Sequence, residues 1–234
     1  LSSKKDKNGQ YAYVYSDLGL IMLWHVVEAI TQEPMEKFLA KRFYEPLGMD
    51  RTGFNPLRRG VSPMDVAPTE NDLVYRQAQL RGTVHDQNAA MQGGISGHAG
   101  LFSDASELAI LMQMNLQRGQ YGGRQYLQPG TVPQFAKPNS TRSHRGLGAD
   151  RRPDDGESVY VSALASERSF GHSGFTGTLV WADPDQDLVF IFLSNRVYPD
   201  AGNNLINSHR IRRQAMDAVY RAIEPERTVA TTRR

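Results

Sequence analysis

Two clusters in this chain hold side chains able to move a proton or hold a reacting carbonyl. Tyr15-Ser16-Asp17 stands immediately before an apolar stretch that begins at Leu18, and His172-Ser173-Gly174-Phe175-Thr176-Gly177 lies in a β-rich stretch far downstream. A phenol at a helix N-terminus, where the dipole and nearby cations lower its pKa, can act as a general base. The plain alternative is a helix cap with a tyrosine beside it. At a glycine-bearing strand edge a substrate backbone can approach, Ser and His supply polar contacts, and a strand N–H can join an oxyanion hole. The plain alternative there is a glycine-softened strand start or bulge.

Other arrangements carry less. His85, Asp86 and His98 are metal-competent, but their spacing matches no zinc signature, and loop histidines bonded to backbone are the simpler expectation. Gly94, Gly97 and Gly100 resemble a phosphate loop only superficially, since no strand precedes them and no Lys-Ser/Thr follows. The chain has no cysteine, which excludes disulfides, thiolate metal sites and a thiol nucleophile. No metal or cofactor is expected.

The elements that must position these residues follow from the apolar pattern. Ser16 or Asp17 caps a helix running to about Ile30, with Leu18, Ile21, Met22, Val26 and Ile30 along a broad apolar face. Pro34 suits the first turn of a second helix bearing Phe38, Leu39 and Phe43, which stops at Pro46-Leu47-Gly48. From Thr52 to about Gly100 the chain is irregular and rich in Pro and Gly, a stretch long enough to carry function or hide short elements. Ser103 caps a third helix, with Asp104 and Glu107 in its first turn. Phe170 to Ala182 and Leu188 to Ser194 read as strand, divided by the turn cluster Asp183 to Asp187. The second run is apolar on both faces, as for a central strand covered on both sides. A final helix from about Asn204 to Ile223 ends before Pro225. The expected class is α+β, an antiparallel sheet flanked by helices plus a helical lobe.

Composition bounds the function. The chain has 234 residues, 39% apolar and 22% charged, a globular rather than disordered profile. Its 27 basic and 25 acidic residues leave a net charge of +2, too even for a nucleic-acid partner. Mean hydropathy is −0.51 and no apolar run approaches the ~20 residues of a membrane span. No signal peptide is visible, and the chain starts at Leu1 without an initiator Met, so it is expected to begin partway into a longer protein.

Together these motifs resemble a family. Tyr-Ser-Asp leading into Leu-Gly-Leu-Ile-Met-Leu, then Tyr44-Glu45-Pro46-Leu47-Gly48-Met49, is similar to the helical lobe of class C β-lactamase-like serine hydrolases, a family including penicillin-binding proteins, D-alanyl-D-alanine peptidases and esterases. Gly97-His98-Ala99-Gly100-Leu101-Phe102-Ser103, then Glu107-Leu108-Ala109, resembles its loop and helix beside the active site, and His172-Ser173-Gly174, Asp183-Pro184 and Leu193-Ser194-Asn195-Arg196 resemble its substrate-binding strand and neighbour. Val84-His85-Asp86-Gln87-Asn88-Ala89 and Asn204-Leu205-Ile206-Asn207 look like the serine hydrolase module fused behind a family 3 glycosidase in Bacteroidetes.

The resemblance implies a single β-lactamase-like domain over 1–234, with about 1–135 as helical lobe and active-site loops and about 136–225 as sheet and closing helix. It implies amide or ester hydrolysis through an acyl-enzyme, with a Ser-x-x-Lys serine as nucleophile. Tyr15 would be the acid/base and Asp17 would orient substrate or the lysine. His172, Ser173 and Gly174 would bind substrate, and the Phe175 N–H would join the oxyanion hole. The implied substrate is a small molecule or peptide, including muropeptides, in a periplasmic or cell-envelope setting. Three departures stand out. Asp17 replaces the usual Asn and cannot donate an amide N–H. His172 replaces the Lys that opens this strand in β-lactamases of the class, and a neutral imidazole draws a carboxylate less than an ammonium does, which disfavours the β-lactamase branch. The sole Ser-x-x-Lys, Ser2-Ser3-Lys4-Lys5, lies too close to Tyr15 and in a polar lead-in. The nucleophile, its helix and the first strands are therefore expected upstream, and this chain alone is expected to be inactive, with an unpaired sheet edge and an uncovered apolar face. The competing expectation is a catalytically silent module that binds cell-wall fragments beside a glycosidase domain.

Overall fold

A computed structural model describes residues 5, 9, 11, 13–139, 143–154 and 157–231, with side chains up to residue 223. Helix α1 spans Leu18–Thr31. Ser16 Oγ accepts the Leu18 N–H at 3.3 Å, while Asp17 sits at the N-cap without a side-chain capping bond. The helix closes at Gln32, whose φ of 54° is left-handed and whose N–H returns to the Glu28 carbonyl. The face expected to be buried is open instead: Leu18, Met22, Val26 and Ile30 are all exposed, Ile30 by 77%, and no α1 residue is fully buried.

Helix α2 (Met35–Leu39) starts directly after Pro34, passes through a π-turn over Ala40–Tyr44 and a 3₁₀ turn over Glu45–Leu47, and stops at Gly48, φ 71°. The irregular stretch does contain short elements. Strands β1 (Gly53–Phe54), β2 (Pro68–Asp72) and β3 (Ala78–Arg81) precede α3 (Gln87–Met91), and β4 (Leu101–Phe102) pairs back with β1. Arg76 organises it, donating to Asp72, Glu70 and the carbonyls of Val84 and His85. The Arg76 guanidinium, with three backbone N–H groups, brings the Asp72 carboxyl down to about 2.

Helix α4 (Ala105–Leu116) is capped by Asp104 rather than Ser103: Asp104 Oδ1 accepts the Glu107 N–H at 2.9 Å. Ser103 faces Thr52 instead, at 2.6 Å. Glu107 is no exposed dipole partner; it is buried and accepts from the Arg51 N–H and the Thr52 hydroxyl. The β5 (Gln120–Tyr121) and β6 (Arg124–Gln125) hairpin leads to α5 (Thr131–Ala136).

The main sheet contains β7 (Asp150–Arg151), β8 (Phe170–Ser173), β9 (Leu179–Asp183) and β10 (Leu188–Phe192), antiparallel in the order β10-β9-β8-β7. The run read as one strand from Phe170 to Ala182 is a hairpin, because Gly174 and Gly177 turn the chain. β10 was expected at the sheet centre and lies at its edge; among the described residues β9 is its only partner. Its two-sided apolarity is real, since the strands alternate between two cores. Leu179, Trp181, Phe190 and Leu188 pack with Met216 and Tyr220, while Ala182, Val180, Val189 and Ile191 pack with Met112, Val132 and Ala136 of α4 and α5. Each such side chain fully buried stabilises by roughly 1.5–3 kcal/mol. The closing segment is broken at Arg210 (φ 51°) into α6 (Leu205–Ser208) and α7 (Ile211–Thr231), which runs past Pro225 rather than ending before it.

Asp183 joins this core. Fully buried, it accepts from the Ser166 N–H and hydroxyl, the Asp185 N–H and the Tyr220 hydroxyl, the last at 2.6 Å. Asp183→Ala would leave several of these donors buried and unpaired, so a loss on the order of 3 kcal/mol or more is expected. Tyr220→Phe, which removes one bond, should cost about 1 kcal/mol. Urea midpoints at constant m-value measure both; equal costs would show that Asp183 does not hold this corner.

Candidate active site

Tyr15, at the head of α1, and His172, at the end of β8, meet at one side chain. The Arg145 guanidinium lies over the Tyr15 ring, 4.8 Å from its centroid, and its Nη1 is 3.1 Å from His172 Nε2. Its Nη2 pairs with Asp150 Oδ1 at 2.8 Å. His172 Nδ1 is 2.8 Å from the Ser173 carbonyl. A carbonyl can only accept and a guanidinium can only donate, so this network assigns the proton to Nδ1 and leaves Nε2 with its lone pair.

A second set of bonds underlies this one. Asp150, on β7, is fully buried and accepts the Tyr160 O–H at 2.9 Å. Burial, then the Asp150 charge, pushes the Tyr160 phenol up to about 12, against the pull of Arg145 and a Ser173 hydroxyl bond. Tyr160 therefore remains a donor that ties Ser173 to Asp150.

The Tyr15 phenol does not behave as expected from its helix position. Its pKa is raised, first by burial, then by Asp17, with Asp150 and Tyr13 adding and Arg145 opposing. Among the described residues its surroundings favour the protonated phenol over the tyrosinate.

The β8–β9 turn shows why glycine stands there. Gly174 N–H bonds the Thr178 carbonyl at 2.8 Å and Gly177, φ 107°, bonds back to Gly174 at 3.0 Å. A Cβ on Gly174 would sit 2.2 Å from Thr178 Oγ1. Phe175, 65% exposed, stands between the His85 ring at 5.3 Å and the Arg196 guanidinium at 4.4 Å, and Arg196 Nε donates to its carbonyl at 2.7 Å. Among the described residues its N–H has no acceptor.

The metal-competent trio is split. His85 turns to Glu70, Nε2 to Oε2 3.3 Å, whereas Asp86 and His98 converge with Asp17, their ligand atoms all within 4.8 Å. His98 Nε2 is 2.9 Å from Asp86 Oδ1 and its Nδ1 is 2.9 Å from Ser96 Oγ. His98 thus bonds side chains, not backbone, whereas the buried His85 Nε2 makes no hydrogen bond among the described residues and only approaches Glu70. Burial pushes the Asp86 carboxyl up, but the Ala89 N–H, which Asp86 caps, and His98 together bring it below its ordinary value. The Asp17 carboxylate makes no hydrogen bond or ion pair among the described residues. Ser2 and Ser3 lie outside those residues, and Lys5 forms an isolated bridge with Tyr11.

Arg145, Asp150, Tyr160 and Ser96 escaped the sequence reading. Arg145 sits in an aperiodic Ser-His-Arg-Gly-Leu-Gly loop where no pattern separates it from a solvated charge. Only the placing of Arg145 and Asp150 on either side of Gly146 and Gly148 hints at it, and Arg151 and Arg152 beside Asp150 blur that signal.

The chain matches the family model described as Beta-lactamase over residues 6–212. It is 35% identical over 206 residues to a Salmonella gallinarum protein bearing the name of a D-alanyl-D-alanine carboxypeptidase, covering 83% of this chain and 48% of that protein. The chain thus spans about half the length of the curated relatives it matches. Among solved structures, simvastatin synthase (LovD) from Aspergillus terreus aligns with TM-score 0.63 at 18% identity, covering 89% of this chain and 55% of that one. A Mycobacterium bovis β-lactamase aligns with TM-score 0.57 at 19% identity, covering 89% and 65%. A penicillin-binding protein homologue from Caulobacter crescentus gives 0.54 at 19%, covering 82% and 54%. These neighbours share the mixed helix and antiparallel-sheet fold. With that fold, the match along most of its length and the 35% relative in agreement, the chain belongs to the Beta-lactamase family.

Proposed function

We propose that this chain supplies the acid/base and substrate-binding half of a serine hydrolase that cleaves amides or esters derived from cell-wall peptides through an acyl-enzyme. The carrying observation is that Tyr15 and the His172 strand face one another across the Arg145 guanidinium. In this reading Tyr15 passes the proton between nucleophile and leaving group, and Ser173 and Gly174 line the substrate. The Phe175 N–H, without an acceptor among the described residues, stabilises the oxyanion. The nucleophilic serine and its lysine come from a segment outside these residues. Two features support that: the carboxylates Asp17 and Asp86, whose oxygens lie within 4.8 Å of one another and offer acceptors to an ammonium, and the exposed apolar face of α1. The name of the 35% relative favours a peptidase, and the setting we propose is the cell envelope; among the described residues no helix is long and apolar enough to cross a membrane. A neighbouring glycosidase domain is part of the same proposal.

A silent binding module is the second reading, favoured by the lack of a well-placed Ser-x-x-Lys in the sequence. Assay of the complete natural polypeptide on a nitrophenyl ester and on a D-alanyl-D-alanine peptide separates the two. Turnover unchanged by EDTA is the expected result. Muropeptide binding without turnover would establish the silent module. Loss of activity on chelation, with stoichiometric zinc in the purified protein, would instead make Asp17, Asp86 and His98 a metal centre.

A further inference from the structure

Arg145 belongs to neither recognised motif, yet it touches both halves of the site. It carries a Tyr15 ring on one face, a His172 nitrogen at Nη1 and the buried Asp150 carboxylate at Nη2, and its side chain is only 22% exposed. A guanidinium in three such contacts has little freedom, and its planar fork is pre-organised for bridging in a way an ammonium is not. We infer that Arg145 is a positioning residue for the acid/base step: its guanidinium holds the Tyr15 ring against the His172 end of the β8 strand.

The inference rests on the functional reading of Tyr15 but not on the identity of the nucleophile. Its physical content is electrostatic as well as geometric. The groups facing the Tyr15 phenol are Asp17 beside it on the helix, Tyr13 before it, Asp150 from β7 and Arg145 from the preceding loop. Three of the four oppose a second negative charge there; Arg145 alone favours it. Asp150, by pairing with Arg145, sets where that charge lies. The same guanidinium occupies the Nε2 lone pair of His172, so the imidazole acts as a fixed wall of the site rather than as its base.

The test needs no turnover. In the complete polypeptide labelled with ¹³Cζ-tyrosine, the Tyr15 resonance is assigned by its loss in Tyr15→Phe and followed through alkaline pH. In Arg145→Met the Tyr15 midpoint should move to higher pH, and in Arg145→Lys, which keeps the charge, it should return toward wild type. In parallel, Arg145→Met should lower kcat on the ester on the order of 10²-fold with a smaller change in KM, as for a misplaced acid/base group. Were Arg145→Met to fail to fold, Arg145→Lys decides alone. Its Tyr15 midpoint must stay near wild type while the ¹⁵N resonance of His172 Nε2 shifts on losing its guanidinium donor. A Tyr15 midpoint unmoved in folded Arg145→Met, or an unshifted His172 nitrogen in Arg145→Lys, overturns the inference. Full activity in Tyr15→Phe would instead sink the functional reading, leaving the titration to decide Arg145 by itself.

Discussion

Tyr15→Phe in the complete polypeptide is expected to lower ester hydrolysis by about 10²–10⁴-fold, the usual contribution of a positioned acid/base group. The substitution removes one oxygen. The Tyr15 hydroxyl donates to no acceptor among the described residues, and the ring's contact with Arg145 survives in phenylalanine. The stability measured by urea unfolding should therefore change by no more than about 0.5 kcal/mol, as for a substitution away from packing and caps. KM should change little, since the phenol is asked to act in the transition state rather than to bind the ground state. Because the phenol is held protonated by burial and by Asp17, activity that depends on its ionised form should rise toward alkaline pH. The raised pKa puts the ionised form above the ordinary tyrosine range, and Tyr15→Phe should abolish that rising limb. Near-native turnover in the mutant would reduce Tyr15 to a neighbour of the helix cap.

The parts legible in the sequence were those with a local cause. α1 begins where Ser16 and Asp17 placed it because an unpaired N–H must find an oxygen there, and α2 begins at Pro34 because proline has no N–H to lose. The β9–β10 hairpin followed from the Asp183–Asp187 cluster, though that cluster also hid the role of Asp183 as a buried acceptor. Choices between neighbouring candidates failed where a distant partner decided them. Ser103 lost the capping role to Asp104 because Thr52, far away in sequence, takes its hydroxyl. The apolar pattern of α1 indicated a covered face, and among the described residues that face is open. The same pattern placed β10 in the middle of a sheet in which it now forms the edge.

For the site, motif residues were found and their supports were not. Tyr15, Asp17 and the His172 to Phe175 turn carry recognisable neighbours in sequence. Arg145 and Tyr160 are joined to Asp150 by side-chain contacts, and the pairing of β7 with β8 brings the group to His172; neither leaves a periodic trace. The metal-competent set was misjoined for the same reason: Asp86 and His98 are brought to Asp17 by the packing of the Ser96 to Gly100 loop against α1, where Gly97 approaches the Leu20 carbonyl too closely for any Cβ.

The second large effect concerns the nucleophile. On the proposed reading, with the nucleophile outside these residues, the 234-residue chain would hold the acid/base group, the oxyanion donor and the substrate strand but nothing to acylate. Such features alone leave about 10³–10⁴-fold over water, which for an amide is negligible turnover. The α1 face and the β10 edge, both open among the described residues, should also make the isolated chain prone to associate. Supplying the upstream segment, fused or as a second chain, should cover both and restore solubility together with reactivity.

The direct measurement is intact mass after treatment with a fluorophosphonate, on the 234-residue chain and on the complete polypeptide side by side. The account predicts one stoichiometric adduct on the complete polypeptide, at a serine upstream of Leu1, and none on the isolated chain. A stoichiometric adduct on the isolated chain, whether at Ser2 with its Lys5 or at Ser96 with His98 and Asp86, would contradict it.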